Sequence, residues 1–225
     1  MNDDRKISTA VIKRLPRYYR YLGYLKDNDI KKTSSKELSE MMEITASQIR
    51  QDLNNFGCFG QQGYGYDVDS LYLEIKKILG INYMHTMVII GCGNIGQALA
   101  NYSSFEERGF KIVGIFDKNP KLFGMTIRNI RVYDVEKMPQ FLIKNKVDIA
   151  ILSVPKENAE EVAHVLSNYR IKGIWNFSNV ELNLKGSNIL IENIQLTDNL
   201  MTLSYRINEK TVFDNLNART SSLPL

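Results

Sequence analysis

Cysteine is nearly absent from this sequence. Cys58 and Cys92 are the only two in 225 residues, and their isolation leaves no paired metal or redox motif. Histidine is as scarce, with His85 and His164 alone, so no cluster of histidine and carboxylate suggests zinc. Long apolar runs are missing: none approaches the ~20 residues of a membrane span, and the first residues are polar where a signal peptide is apolar. A cytoplasmic protein without membrane or metal partners is expected. Carboxylates are missing from one stretch in particular. From Arg5 to Arg20 there are six cations (Arg5, Lys6, Lys13, Arg14, Arg17, Arg20) and no acidic residue. In a chain of net charge +4, that local asymmetry is a footprint for a polyanion, DNA or RNA before membrane.

What is present divides the chain near residue 80. In the first part, a short helix from Ser8 and a longer one with Pro16 at its first position are expected, with Tyr18, Tyr21, Leu22 and Leu25 as an apolar stripe. Ser34 with Glu37, and Thr45 with Gln48, have the spacing of capping boxes. The first opens a helix that packs Leu38, Met41 and Met42; the second opens one that buries Ile49, Leu53 and Phe56. A turn of about three residues between them reads as helix-turn-helix. Four glycines between Gly57 and Gly65, interleaved with aromatics, suggest a hairpin wing. A helix over residues 67–79 then joins the domains.

The second part opens on "MVIIGCGNIGQALA". Gly91, Gly93 and Gly96 form a G-x-G-x-x-G loop between a strand and a helix that is expected to bury Ile95, Ala98 and Leu99. Gly91 permits the tight turn, Gly93 lets a pyrophosphate approach the backbone, and Gly96 lets the helix (residues 94–108) pack on the sheet. Asn94 and its neighbours offer free amides to phosphate. Asp117 falls 21 residues after Gly96, at the end of the second strand, where a carboxylate accepts bonds from the adenosine ribose and repels a 2′-phosphate. NAD(H) is therefore expected over NADP(H), an inference that Lys118 beside it weakens. Strand alternating with helix down to "NILIEN" argues a mostly parallel sheet.

A dehydrogenase needs an acid–base group beside the cofactor. His85 precedes the first strand, away from the ligand end, and His164 sits mid-helix among charges. No Tyr-x-x-x-Lys pair follows a plausible strand, and little chain is left for a substrate domain. Cys92 takes a variable position of the glycine loop, for which a small buried side chain is sufficient. A small oxidoreductase with an N-terminal appendage remains the alternative, and a cofactor-independent scaffold the third reading.

The outward positions of the third helix, Ser47, Gln48, Arg50, Gln51 and Asn54, include the residue types that read guanine and adenine from the major groove. Lys13, Arg14, Arg17 and Arg20 suit backbone or minor-groove contact, and Gln61 and Gln62 lie at the expected wing tip. Ordinary solvent exposure explains any one of these residues; the arrangement as a whole points to DNA. A lone helix-turn-helix binds weakly at cellular salt, so a dimer on a palindrome is expected. The terminal helix "LTDNLMTLSYRI", bearing Leu200, Leu203, Tyr205 and Ile207, can supply it by swapping onto a partner. The polar end that follows reads as disordered, or ordered only against a partner.

The segments "KRLPRYYRYL", "SSKELSE", "SQIRQDLNNFGCFGQQGYGYDV", "IIGCGNIGQAL", "GIFDKNP", "AILSVP" and "IKGIWNF" together resemble the Rex family of redox-sensing transcriptional repressors, from about residue 5 to 207. The resemblance implies an α/β protein that is not an enzyme: a winged helix-turn-helix domain (1–80), a Rossmann-like NAD(H) domain (81–194), a swapped dimerisation helix (195–208) and a tail (209–225). It implies a homodimer that holds a palindromic operator when NADH is low and releases it when NADH rises, with NAD+ competing for the same site. It places DNA readers on Arg14, Arg17, Ser47, Arg50 and Gln51 with the wing near Gln61 and Tyr64. Cofactor residues fall on Gly91, Gly93, Asn94, Ile95, Gly96, Asp117, Val154, Pro155, Asn176 and Phe177, with Phe105 near the nicotinamide. Two departures stand out. Gln195 occupies a position where the family commonly has an Asp and cannot form its ion pair, and Phe105 lacks the phenolic hydroxyl of the family's frequent Tyr.

Overall fold

The computed structural model describes residues 7–57 and 65–220. It divides into two compact units, Met1–Met84 and His85–Leu225.

In the first unit, α1 (Thr9–Asp27) is a single helix capped by Ser8, whose side chain accepts from the Val11 amide. Pro16 lies inside it and does not begin a second helix, contrary to the sequence expectation. An interior proline costs about 3 kcal/mol. Here it sits on the exposed side, as does Ile12, four residues before it. Val11, Leu15, Tyr18, Leu22 and Leu25 are buried on the other side and hold the helix through the break.

Strand β1 (Lys32–Thr33) leads into α2 (Ser35–Met42), closed by the complete Ser34–Glu37 capping box. Residues 43–45 turn the chain, with Glu43 left-handed at φ 53°. They lead into α3 (Ala46–Asn54), where Thr45 accepts from the Gln48 amide. Strand β2 (Tyr66–Asp67) pairs antiparallel with β1, a strand that precedes the two helices. The expected wing tip, with Cys58, Gln61, Gln62 and Tyr64, lies outside the described residues. Helix α4 (Val68–Ile78), capped by Asp67, adds Val68, Leu71 and Ile75 to the core made by α1, α2 and α3.

The second unit is a seven-stranded sheet. Its strands are β3 (His85–Ile90), β4 (Phe110–Asp117), β5 (Thr126–Ile127), β6 (Ile130–Asp134), β7 (Ile149–Leu152), β8 (Gly173–Asn176) and β9 (Leu190–Asn193). They lie in the order β5-β6-β4-β3-β7-β8-β9, parallel except for β5. Helices α7 (Met138–Lys144) and α8 (Lys156–Ser167) follow β6 and β7. Val88, Ile90, Phe116, Ala150 and Leu152 face the core that includes Met138, Leu142, Ala159 and Leu166 from these helices. Met87, Ile89, Ile115 and Ile151 form a second core with Ala100. Because the chain moves from β3 to β4 on one side and later to β7 on the other, the ends of β3 and β7 form a switch point, where such sheets bind ligands.

Two helices differ from expectation. The one after the glycine loop ends early: α5 (Asn94–Asn101) stops at Tyr102, and α6 (Ser104–Glu107) is separate. Tyr102 is extended, and Arg128 donates to the Asn101 carbonyl. Gly96 and Ala100 take the buried side of α5, leaving Ile95 and Ala98 exposed and Leu99 half-buried. The phase is set by Gly96, whose added Cβ would lie 2.0 Å from the Gly91 carbonyl oxygen. The last helix is longer than expected: α9 runs from Leu196 to Thr220, through much of the segment read as disordered. Among the described residues no helix is long and apolar enough to cross a membrane.

Candidate functional site

In the first unit, the side chains expected to read nucleic acid fall into two groups. Ser47, Arg50, Gln51 and Asn54 are exposed on α3, and Lys13 is exposed on α1. Arg50 donates to the Ser35 hydroxyl at 3.0 Å, which steadies it across the turn. Arg14, Arg17 and Gln48 are instead engaged within the unit. Arg17 donates to the Met42 carbonyl at 2.7 Å and so closes the end of α2. Arg14 grips Asp52 with two bonds, Nε to Oδ2 at 2.6 Å and Nη2 to Oδ1 at 2.7 Å. Tyr18 and Gln48 donate to the same carboxylate at 2.9 and 2.8 Å.

Asp52 is a buried residue that the sequence reading missed, and it positions Arg14 and Gln48. It lies three residues after the buried Ile49 and four after Gln48, so a polar group on the packing side of α3 was legible and its need for a cationic partner followed. Burial pushes its pKa up, but hydrogen bonds from Arg14, Gln48 and Tyr18 outweigh this and hold it below the usual carboxylate range. Desolvation, then the bond to Asp52, raises the Tyr18 phenol. The network fixes the angle between α1 and α3 and presents Arg14, still partly exposed, with guanidinium donors to spare.

In the second unit, a cleft of about 920 Å³ opens at the switch point. Of the expected cofactor residues it brings together Gly91, Gly93, Ile95, Asp117, Lys118, Val154, Pro155 and Phe177. The loop is built by close backbone approach. Gly91 has φ 97°, and a Cβ there would lie 2.5 Å from the Ser153 carbonyl oxygen. Ser153, also absent from the sequence reading, donates to the Gly91 carbonyl at 2.8 Å. Around Gly93 an added Cβ meets nothing within 4 Å, and because a glycine cap has no side chain to bond them, the first amides of α5 carry no cap and suit phosphate. Asp117 is fixed from both sides. Its Oδ2 accepts from the Cys92 amide at 2.6 Å and its Oδ1 from the Asn119 amide at 2.7 Å.

Five expected residues do not line the cleft: Cys92, Asn94, Gly96, Phe105 and Asn176. Cys92 is buried, and burial, with the Asp117 charge, pushes its thiol pKa up. Asn94 and Gly96 belong to the first turn of α5. Phe105 packs edge-on against Tyr102 and Trp175, at 4.8 and 5.9 Å between ring centres. Asn176 is buried and bonded to Val180 and Asn193. His85 stands at the start of β3, stacked on Phe110 and at the opposite end from the glycine loop, while His164 is exposed on α8. The described lining contains no histidine, tyrosine or cysteine.

A basic helix-turn-helix unit joined to a dinucleotide-type cleft defines a class, the DNA-binding regulator that answers to a small ligand. Residues 6–54 match the model of a putative DNA-binding protein N-terminus, and residues 82–180 that of a CoA binding domain. The redox-sensing transcriptional repressor Rex of Thermoanaerobacter pseudethanolicus is 53% identical over 223 residues, 99% of each chain. That of Clostridium botulinum (strain Hall) is 51% identical over 209 residues, 93% of this chain and 99% of its own. The crystal structure of RSP in complex with β-NAD+ and operator DNA superposes with a TM-score of 0.86 at 53% identity, covering 96% of this chain and 100% of that one. RSP in complex with β-NADH gives 0.85 at 52% identity, covering 93% and 98%. The chain belongs to the Rex family of redox-sensing transcriptional repressors. It is a regulator and not an enzyme.

Proposed function

We propose that the chain acts as a homodimer that holds a palindromic operator while NADH is scarce and releases it when NADH fills the cleft. The observation that carries this reading is the cleft itself, which combines open space at Gly93 with a fixed carboxylate, Asp117, and apolar side chains at Val154 and Phe177. The RSP complexes with β-NAD+, operator DNA and β-NADH support it.

In this reading Ser47, Arg50, Gln51 and Asn54 meet base edges or phosphates, with Lys13, Arg14 and Arg17 on the backbone. The orphaned amides of α5 hold the pyrophosphate, and Asp117 holds the adenosine ribose. Neither group distinguishes the redox states, which differ by a hydride and a positive charge on the ring. Ile95, Val154 and Phe177 supply the difference, because an apolar wall penalises a cationic ring and accepts a neutral one. Dimerisation falls to α9. Leu196, Leu200, Leu203 and Ile207 recur at four, three and four residues and are 52–64% exposed, an apolar seam of coiled-coil spacing with nothing described against it.

Calorimetry tests the sensing step. NADH should bind at least about tenfold more tightly than NAD+, roughly 1.4 kcal/mol. Equal affinities would contradict the assignment of the apolar wall.

A further inference from the structure

The turn after β8 holds a polar atom without a partner. Ser178 lines the cleft and is 4% exposed, and its Oγ makes no hydrogen bond among the described residues. A buried hydroxyl left in this state destabilises the fold on its own, so such atoms are rare and call for an explanation.

The turn is pinned on both sides of this residue. Asn176 Oδ1 accepts from the Ser178 amide at 2.9 Å, and Asn176 Nδ2 donates to the Val180 carbonyl at 2.6 Å and to Asn193 Oδ1 at 2.8 Å. Asn193 Oδ1 also accepts from the Leu182 amide at 3.2 Å. Between these anchors Asn179, also in the cleft wall, is left-handed at φ 56°. Asn176, expected from sequence to touch cofactor, is buried here and holds the amide of Ser178, two residues on.

We infer that Ser178 is a ligand-binding residue whose hydroxyl pairs with the carboxamide of the nicotinamide ring. This rests on the reading of the cleft given above. The assignment to that half follows from the sheet order. Strands β4, β3, β7 and β8 lie side by side, and at about 4.8 Å per neighbour the ends of β4 and β8 are about 14 Å apart. With the ribose at Asp117 and the pyrophosphate at the loop of β3, the ring end of an extended dinucleotide lies over β7 and β8. Val154, Pro155 and Phe177 offer it apolar surface there, and Ser178 offers a neutral group that both donates and accepts. A carboxamide is the same in both redox states. Ser178 therefore orients the ring and strengthens both forms alike, leaving discrimination to the apolar wall.

The test uses the full chain, with Ser178→Ala and Ser178→Cys titrated calorimetrically with NADH, NAD+ and ADP-ribose, which lacks the ring. Both variants should lose about five- to tenfold in affinity for NADH and NAD+ while ADP-ribose binding stays within about twofold, one hydrogen bond's worth. The ligand-free Ser178→Ala protein should melt no lower than wild type, since it loses an unpaired hydroxyl. Unchanged NADH affinity in Ser178→Ala, or full affinity in Ser178→Cys, a weak donor of similar shape, overturns the inference. An equal loss for ADP-ribose overturns the assignment to the ring. A wild type that takes neither NADH nor NAD+ overturns the reading of the cleft and this inference with it.

Discussion

Replacing Asp52 by Asn removes the charge that ties α3 to α1. The carboxylate side chain is 0% exposed and accepts four bonds, two from Arg14 and one each from Tyr18 and Gln48. Breaking a fully buried ion pair from one side costs roughly 3–5 kcal/mol. Arg14, 24% exposed, can recover water, which sets the expected loss near the lower end, about 3 kcal/mol. In a unit of this size each kcal/mol lowers the melting temperature by roughly 4–8 °C, so the N-terminal unit should melt at least about 12 °C earlier. The chain's one tryptophan, Trp175, belongs to the second unit and provides an internal control. Far-UV circular dichroism should show the early transition while Trp175 fluorescence keeps its midpoint. The sign with pH follows from the depressed pKa. Asp52 stabilises fully above its unfolded value of about 3.9 and ceases to do so as pH falls through the lower folded value, so wild type and variant should converge in acid. A variant that melts within about 2 °C of wild type at neutral pH refutes the reasoning.

Arg50→Ala should abolish specific operator binding and leave NADH affinity unchanged; an unaltered gel shift would remove α3 as the reading element. Asp117→Ala should weaken NADH-driven release and relax selection against NADPH, checked by operator titrations with each cofactor, and identical titrations would count against the ribose assignment. Gly96→Ala places a Cβ 2.0 Å from the Gly91 carbonyl oxygen, and the forced shift should cost the second unit about 1–3 kcal/mol together with NADH binding. The Trp175 unfolding midpoint reads this, and an unmoved midpoint would show that the loop and α5 are not packed as described.

Local signals were legible. The Ser34–Glu37 box, the Thr45 cap, the glycine loop and the ends of β3 and β4 each depend on residues a few positions apart, where side chain and backbone meet whatever the rest of the chain does. Contacts between distant residues were not. Asp52 four residues after Gln48 marks a buried acid that needs a partner, but which cation supplies it does not follow from sequence, because Arg14 lies 38 residues away and an exposed cation and a paired one share the same sequence. Local rules weigh the missing amide of Pro16 and so place a boundary there, while the burial of Leu15 and Tyr18 that overrides it is tertiary. Apolarity alone points Ile95 inward, yet Gly96 sets the helix phase. Ser178 carried no signal, since an unpartnered hydroxyl is visible only once its surroundings are built.

The central claim is that the dinucleotide is a signal read out at DNA. The most direct measurement is a binding titration of the full chain on a palindromic A·T-rich site, repeated with NADH, NAD+ and NADPH. The account predicts tight binding without cofactor, release by NADH, and little release by NAD+ or NADPH at the same concentration. The same operator affinity with and without saturating NADH would contradict it.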